Sequence, residues 1–197
     1  MRKINSIAIF CGSSQGNNPH FTKAAQELGS YLANNKIKMI YGGARVGLMG
    51  ELANACLFNN GHVVGIIPGF LSAKEIIHEG LTETIQTKSM HERKALMEEM
   101  ADAFIAIPGG FGTLDELFEI LTWSQLGLHT KPIGIINTDG FFDPLLAMIQ
   151  KMEDCQLLKT IHKDMILLAT NVTELIEKMN SYQAPEQPKW IKRVAEI

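Results

Sequence analysis

Short apolar runs alternate with stretches of helical spacing along this chain, and that alternation leaves few folds open to it. Residues 4–10, 38–41, 62–67, 103–107, 133–137 and 165–168 are mainly apolar, and 82–86 is a weaker seventh run. Between them, 21–34, 48–59, 91–100, 114–126, 144–153 and 172–180 repeat apolar residues at helical intervals. Strands without polar alternation are covered on both faces, and strands separated by helices pair in parallel. The pattern predicts an α/β, doubly wound, Rossmann-like domain over residues 1–180. Its mostly parallel central sheet has about seven strands, with helices on both faces. Pro185 and Pro188 break the pattern, so 181–197 reads as a C-terminal tail. Its last part, 189–197, fits a short helix packed on a neighbour and a loose extension equally well.

Charge and cysteine usage narrow the function classes. A net charge of −3 gives no electrostatic case for nucleic acid or an anionic membrane as partner. Cys11, Cys56 and Cys155 are odd in number and widely spaced, which fits neither a disulfide framework nor a zinc site and favours a reducing cytoplasm. The first apolar run, ending at Phe10, is too short for a secretory segment. No apolar stretch approaches the roughly 20 residues that span a bilayer. The expectation is a soluble, cytoplasmic protein with no metal.

Ligands of open α/β sheets gather beyond the carboxyl ends of the strands. Three glycine-rich turns belong at that edge: Cys11-Gly12-Ser13-Ser14, Gly42-Gly43-Ala44-Arg45-Val46-Gly47, and Pro108-Gly109-Gly110-Phe111-Gly112-Thr113. The third runs from an apolar strand into a helix, so backbone N–H groups and the positive end of a helix dipole converge there. A phosphate suits that place. No Gly-Lys-Ser/Thr follows any turn, and the dinucleotide fingerprint is absent after the first strand. A nucleotide with a single phosphate fits better than ATP or NAD.

Ser89–Glu92, Thr113–Glu116 and Asn171–Glu174 have the spacing of helix N-terminal caps. Glu116 therefore has two readings, as the third residue of a capping box and as a carboxylate beside the phosphate site. Asp115 lies about 100° around the helix from it, so only one of the two faces the site. Arg93 is likewise either one solvated charge among Glu92, Lys94, Glu98 and Glu99, or a clamp for ribose hydroxyls and phosphate. Met90, Met97 and Met100, at helical spacing, suit the core better than a base-binding wall.

With these residues in view, Tyr41-Gly42-Gly43-Ala44-Arg45-Val46-Gly47-Leu48-Met49-Gly50, Met90-His91-Glu92-Arg93-Lys94 and Pro108–Glu116 resemble the Lonely Guy (LOG) family. These are cytokinin riboside 5′-monophosphate phosphoribohydrolases, whose members have often carried the label lysine decarboxylase. Nothing here looks like a pyridoxal phosphate site. The resemblance runs from about Ile4 to Met179 and includes Trp123-Ser124-Gln125-Leu126-Gly127 and Asn137-Thr138-Asp139-Gly140-Phe141. It implies that Arg93 and Glu116 are the catalytic pair. It also implies that Gly12, Ser13, Ser14, Gly42, Gly43, Met90, Lys94, Gly109, Gly110, Phe111, Gly112 and Thr113 bind the nucleotide and its phosphate. A homodimer with its site near the interface, and no cofactor, are implied as well. An apolar pocket for an N6-prenyl group would draw on Met90, Met97 or Phe111. The rivals are a broader AMP or nucleotide 5′-monophosphate nucleosidase and a non-catalytic carrier of nucleotide or molybdenum cofactor. One departure is Ala44, where the family usually has a third glycine; alanine requires a negative φ there.

Overall fold

The computed structural model describes residues 3–72 and 77–185. Seven strands form one sheet: β1 (Ser6–Phe10), β2 (Lys38–Tyr41), β3 (Val63–Pro68), β4 (Glu83–Thr87), β5 (Ala103–Ala106), β6 (Ile133–Ile136) and β7 (Ile166–Ala169). Their order is β4-β3-β2-β1-β5-β6-β7 and every pairing is parallel. The expected doubly wound α/β sheet is therefore present. Period-2 geometry divides β1 between two cores. Ile7, Ile9 and Cys11 face a layer built on Leu28, Leu52 and Leu175, whereas Ala8 and Phe10 face Met97, Leu117 and Ile120. The weak seventh run is β4, an edge strand whose Glu83, Thr84 and Gln86 are exposed.

The first core is covered by α1 (Pro19–Asn34), α2 (Gly47–Phe58) and α8 (Val172–Ser181), and the second by α4 (Met90–Met100), α5 (Phe111–Gln125) and α6 (Asp143–Asp154). Two four-residue helices, α3 (Gly69–Ser72) and α7 (Thr160–Lys163), and a 3₁₀ turn at Thr138–Gly140 complete the described elements. Ser89 and Asn171 cap α4 and α8 as their spacing predicts, accepting from the N–H of Glu92 and Glu174. The tail assignment for 189–197 lies outside the described residues. No helix among the described residues is long and apolar enough to cross a membrane.

Strand order reverses between β1 and β5, and the crevice beyond that switch point is where such sheets hold ligands. The pairing continues past the strands: Ile107 donates its N–H to Phe10 O at 3.0 Å, and Gly12 to Pro108 O at 3.1 Å. Two of the three glycine turns thus lie side by side. The third is tied in where Met49, in the first turn of α2, donates to Gly12 O at 3.3 Å. Gly47 sits at φ +62°, and a Cβ there would stand 2.2 Å from the Ser13 carbonyl carbon. Ala44 keeps a negative φ, as an alanine in that loop must.

Candidate active site

The Pro108–Thr113 turn holds a set of donors without protein acceptors. Gly109 is confined, since a Cβ would lie 2.0 Å from Thr113 Oγ1 and 2.7 Å from the Gly12 nitrogen. α5 begins at Phe111 with Gly110 as its cap, and no side chain bonds to its first turn. The capping box expected at Thr113–Glu116 is therefore not formed. The helix starts two residues earlier, which leaves Thr113 and Glu116 inside it. A glycine cap offers no side-chain oxygen, so the first N–H groups of α5 stay available at the positive end of the helix. Thr113 is buried, and its hydroxyl has no hydrogen-bond partner. A buried, unpaired hydroxyl is costly unless a ligand completes it. Gly110 and Gly112 have negative φ, and a Cβ on either would meet nothing within 4 Å. Neither backbone strain nor protein packing asks for glycine there, and the space over both positions is open. Together these features suit a phosphate monoester.

Beside this cradle stands a buried ion pair. Arg93 lies in the first turns of α4, and its Nη1 donates to Glu116 Oε1 at 2.6 Å across to α5. Its Nε donates to the Ile66 carbonyl within β3, at 3.0 Å. The two side chains are only 9% and 10% exposed. Gly42 gives the guanidinium room, because a Cβ there would lie 2.5 Å from Arg93 Nη2. One Nη1–H and both Nη2–H groups have no protein acceptor among the described residues, which leaves them for ligand oxygens. Burial pushes the Glu116 carboxyl above the usual carboxylate range, opposed in part by Arg93. Burial, helped by the Glu116 charge, also lifts the Cys11 thiol far above its ordinary range and keeps it neutral.

A cavity of about 250 Å³ joins the cradle to the pair. Of the predicted site residues, Gly12, Ser13, Gly42, Met90, Arg93, Gly110, Phe111, Gly112, Thr113 and Glu116 line it. Ser14 and Gly109 line an adjoining, more apolar cavity of about 210 Å³ that shares Gly12, Ser13 and Gly110. Gly43 holds the β2 turn at φ +82° behind the site. Lys94 is turned to Asp115 and Glu119 of α5 instead of into the cavity. Asp115 stands at the rim and Glu116 inside, so the two carboxylates do face different ways. Met97 belongs to the core, 1% exposed, and does not line this cavity. The apolar wall is made instead by Met49, Ile67, Pro68, Leu71 and Met90. Apart from Met90, these were not among the predicted site residues. Ile67 and Pro68 end a strand at the ligand edge, which is the one signal that pointed to them.

The family model described as possible lysine decarboxylase matches residues 49–179. The cytokinin riboside 5′-monophosphate phosphoribohydrolase LOG2 of Arabidopsis thaliana is 42% identical over 192 residues, 98% of this chain and 90% of that protein. LOG1 of the same plant, which carries the same enzyme name, is 43% identical over 91% of this chain and 84% of its own length. Among solved structures, the molybdenum cofactor binding protein of Rippkaea orientalis superposes with a TM-score of 0.68 at 23% identity, covering 92% of this chain and 98% of that one. The molybdenum cofactor carrier protein of Chlamydomonas reinhardtii gives 0.67 at 16%, over 90% and 97%. At such identities the structures attest the fold alone. On sequence, the chain belongs to the LOG family, whose model bears the name possible lysine decarboxylase.

Proposed function

We propose that the protein hydrolyses the N-glycosidic bond of adenosine 5′-monophosphates, N6-modified ones included, as a cytokinin riboside 5′-monophosphate phosphoribohydrolase. The products are the free base and ribose 5-phosphate. The observation that carries this reading is the buried Arg93–Glu116 pair in one cavity with an unpartnered anion cradle. The enzyme names of the 42–43% identical relatives support it. In this reading the 5′-phosphate sits at the N-terminus of α5, on the Thr113 hydroxyl and the open faces of Gly110 and Gly112. The ribose lies over Arg93 and Glu116, and the base rests on the wall of Met49, Ile67, Leu71 and Met90.

Cleavage places positive charge on the ribose and sends the bonding electrons to the departing base. Water adds to the anomeric carbon, losing one proton while the base nitrogen gains one. Ionised Glu116 stabilises the oxocarbenium-like ring and orients the water; Arg93 fixes the ribose hydroxyls and aligns Glu116. Phosphate contacts supply remote binding energy that holds this geometry.

The substrate class is tested by comparing release of base from AMP and isopentenyladenosine monophosphate. The apolar wall predicts the higher kcat/KM for the prenylated nucleotide, and a large preference for AMP would defeat that assignment. The phosphate cradle has its own test in Gly112→Ala. The helix accepts alanine, so Tm should hold or rise by about 1 °C, from a gain of a few tenths of a kcal/mol. The added Cβ enters ligand space, so KM for the nucleotide should rise about tenfold, equivalent to one lost phosphate hydrogen bond. An unchanged KM would place the phosphate elsewhere.

The exposed apolar residues of α5 and the loop after it, Phe111, Phe118, Leu126 and Leu128, support a homodimer with the site near its interface. The free cysteines, Cys11, Cys56 and Cys155, support a cytoplasmic location. One continuous sheet supports treating residues 1–180 as a single nucleotide-binding domain, with 181–197 as its tail.

A further inference from the structure

Arg93 and Lys94 are neighbours on α4, and they grip α5 at adjacent acids. Arg93 takes Glu116 at 2.6 Å, while the Lys94 ammonium sits 3.2 Å from Asp115 Oδ2 and 3.0 Å from Glu119 Oε1. Asp115 and Glu119 lie one helical turn apart on the same face of α5. Glu116, one position on from Asp115, is thereby rotated towards the cavity. The Lys94 side chain is 14% exposed and Glu119 22%, whereas Asp115 is 61% exposed, so the Lys94–Glu119 arm is the better shielded half of the bridge. Both its contacts are with protein carboxylates, and Lys94 itself does not line the cavity.

We propose that Lys94 is a positioning residue: by bridging Asp115 and Glu119 it sets the rotation of α5 that presents Glu116 to Arg93, and its charge offsets that of Asp115 beside the Glu116 carboxylate. Its bearing on turnover rests on the reading of Glu116 as the carboxylate of glycosidic cleavage. The ionisable groups around Glu116 are Arg93 and Lys94 of α4, Asp115 and Glu119 of its own helix, and the neutral Cys11 thiol beyond β1. The two cations favour the ionised carboxylate, whereas burial and Asp115 oppose it. Removing the Lys94 charge leaves Asp115 and Glu119 without their shared cation and raises the Glu116 pKa further. Removing the Asp115 charge lowers it.

The test is a carboxyl ¹³C NMR titration of Glu116 in the full chain without nucleotide, assigned by its absence in Glu116→Gln. The midpoint should move up in Lys94→Gln and down in Asp115→Asn. In kcat/KM against pH, the acid limb should move the same two ways. Coincident midpoints in all three proteins would overturn the proposal. So would a rise in KM alone with a fixed limb, because it would return Lys94 to direct phosphate contact. If Lys94→Gln does not fold, Asp115→Asn carries the test, and a midpoint that stays or rises refutes it. Opposite midpoint shifts in a protein that releases no base would support the electrostatic inference and sink the phosphoribohydrolase reading instead.

Discussion

Glu116→Gln is expected to cut kcat by about 10²–10⁴-fold while the nucleotide still binds, the range for loss of a positioned acid–base group. The substitution keeps the volume and one carbonyl acceptor for the Arg93 Nη1–H, which now lies 2.6 Å from Oε1. It removes the negative charge that faces the developing positive charge on the ribose. The phosphate cradle on α5 is untouched, so KM should stay within about threefold, which is less than one lost hydrogen bond. In the unsubstituted protein the acid limb of the rate profile should lie above 4.5, the ordinary glutamate value, because burial raises Glu116. The sign follows from protonation: an acid with a raised pKa loses its charge at a higher pH. Kinetics of base release across pH, for both proteins, check the two expectations together. Near-normal turnover in the variant would remove Glu116 from the mechanism.

Arg93→Ala should injure both activity and stability. The change takes away the Glu116 partner, the bond to the Ile66 carbonyl and the packing against Gly42. Removing one member of a buried pair costs about 3–5 kcal/mol when the other charge stays uncompensated. Glu116 stands at a cavity and can take up a proton, so the lower end, about 3 kcal/mol, is the expected loss. For a chain of this length that lowers Tm by about 6–12 °C. Turnover should fall at least about 10²-fold, as for loss of a preorganised donor. Arg93→Lys should recover part of the Tm and little of the rate, since an ammonium cannot span Ile66 O and Glu116 and still offer a planar face to ribose. Calorimetry and turnover on the two variants separate the structural share from the chemical one.

Much of the architecture was legible in the chain, because a parallel sheet buried on both faces writes each central strand as an apolar run. β4 was faint because an edge strand can expose Glu83, Thr84 and Gln86. α3 and α7 were invisible since four residues are too few to show a helical period. The phosphate cradle was legible from its glycines, yet Thr113–Glu116 imitates a capping box that the structure does not form. Only tertiary packing decides that point, by starting α5 at Phe111 and turning Glu116 to Arg93, a partner 23 residues away. Arg93 looked like one charge in a charged helix because its burial comes from β3 and α5, not from its sequence neighbours. Lys94, which the resemblance sets among the nucleotide-binding residues, contacts two carboxylates of the next helix, and no local pattern in the chain announces those partners.

The most direct test of the central claim is chromatographic detection of products after the purified protein meets AMP and isopentenyladenosine monophosphate. Free base and ribose 5-phosphate in equal amounts, lost in Glu116→Gln, are the predicted result. A folded protein that binds both nucleotides and releases base from neither would contradict the account.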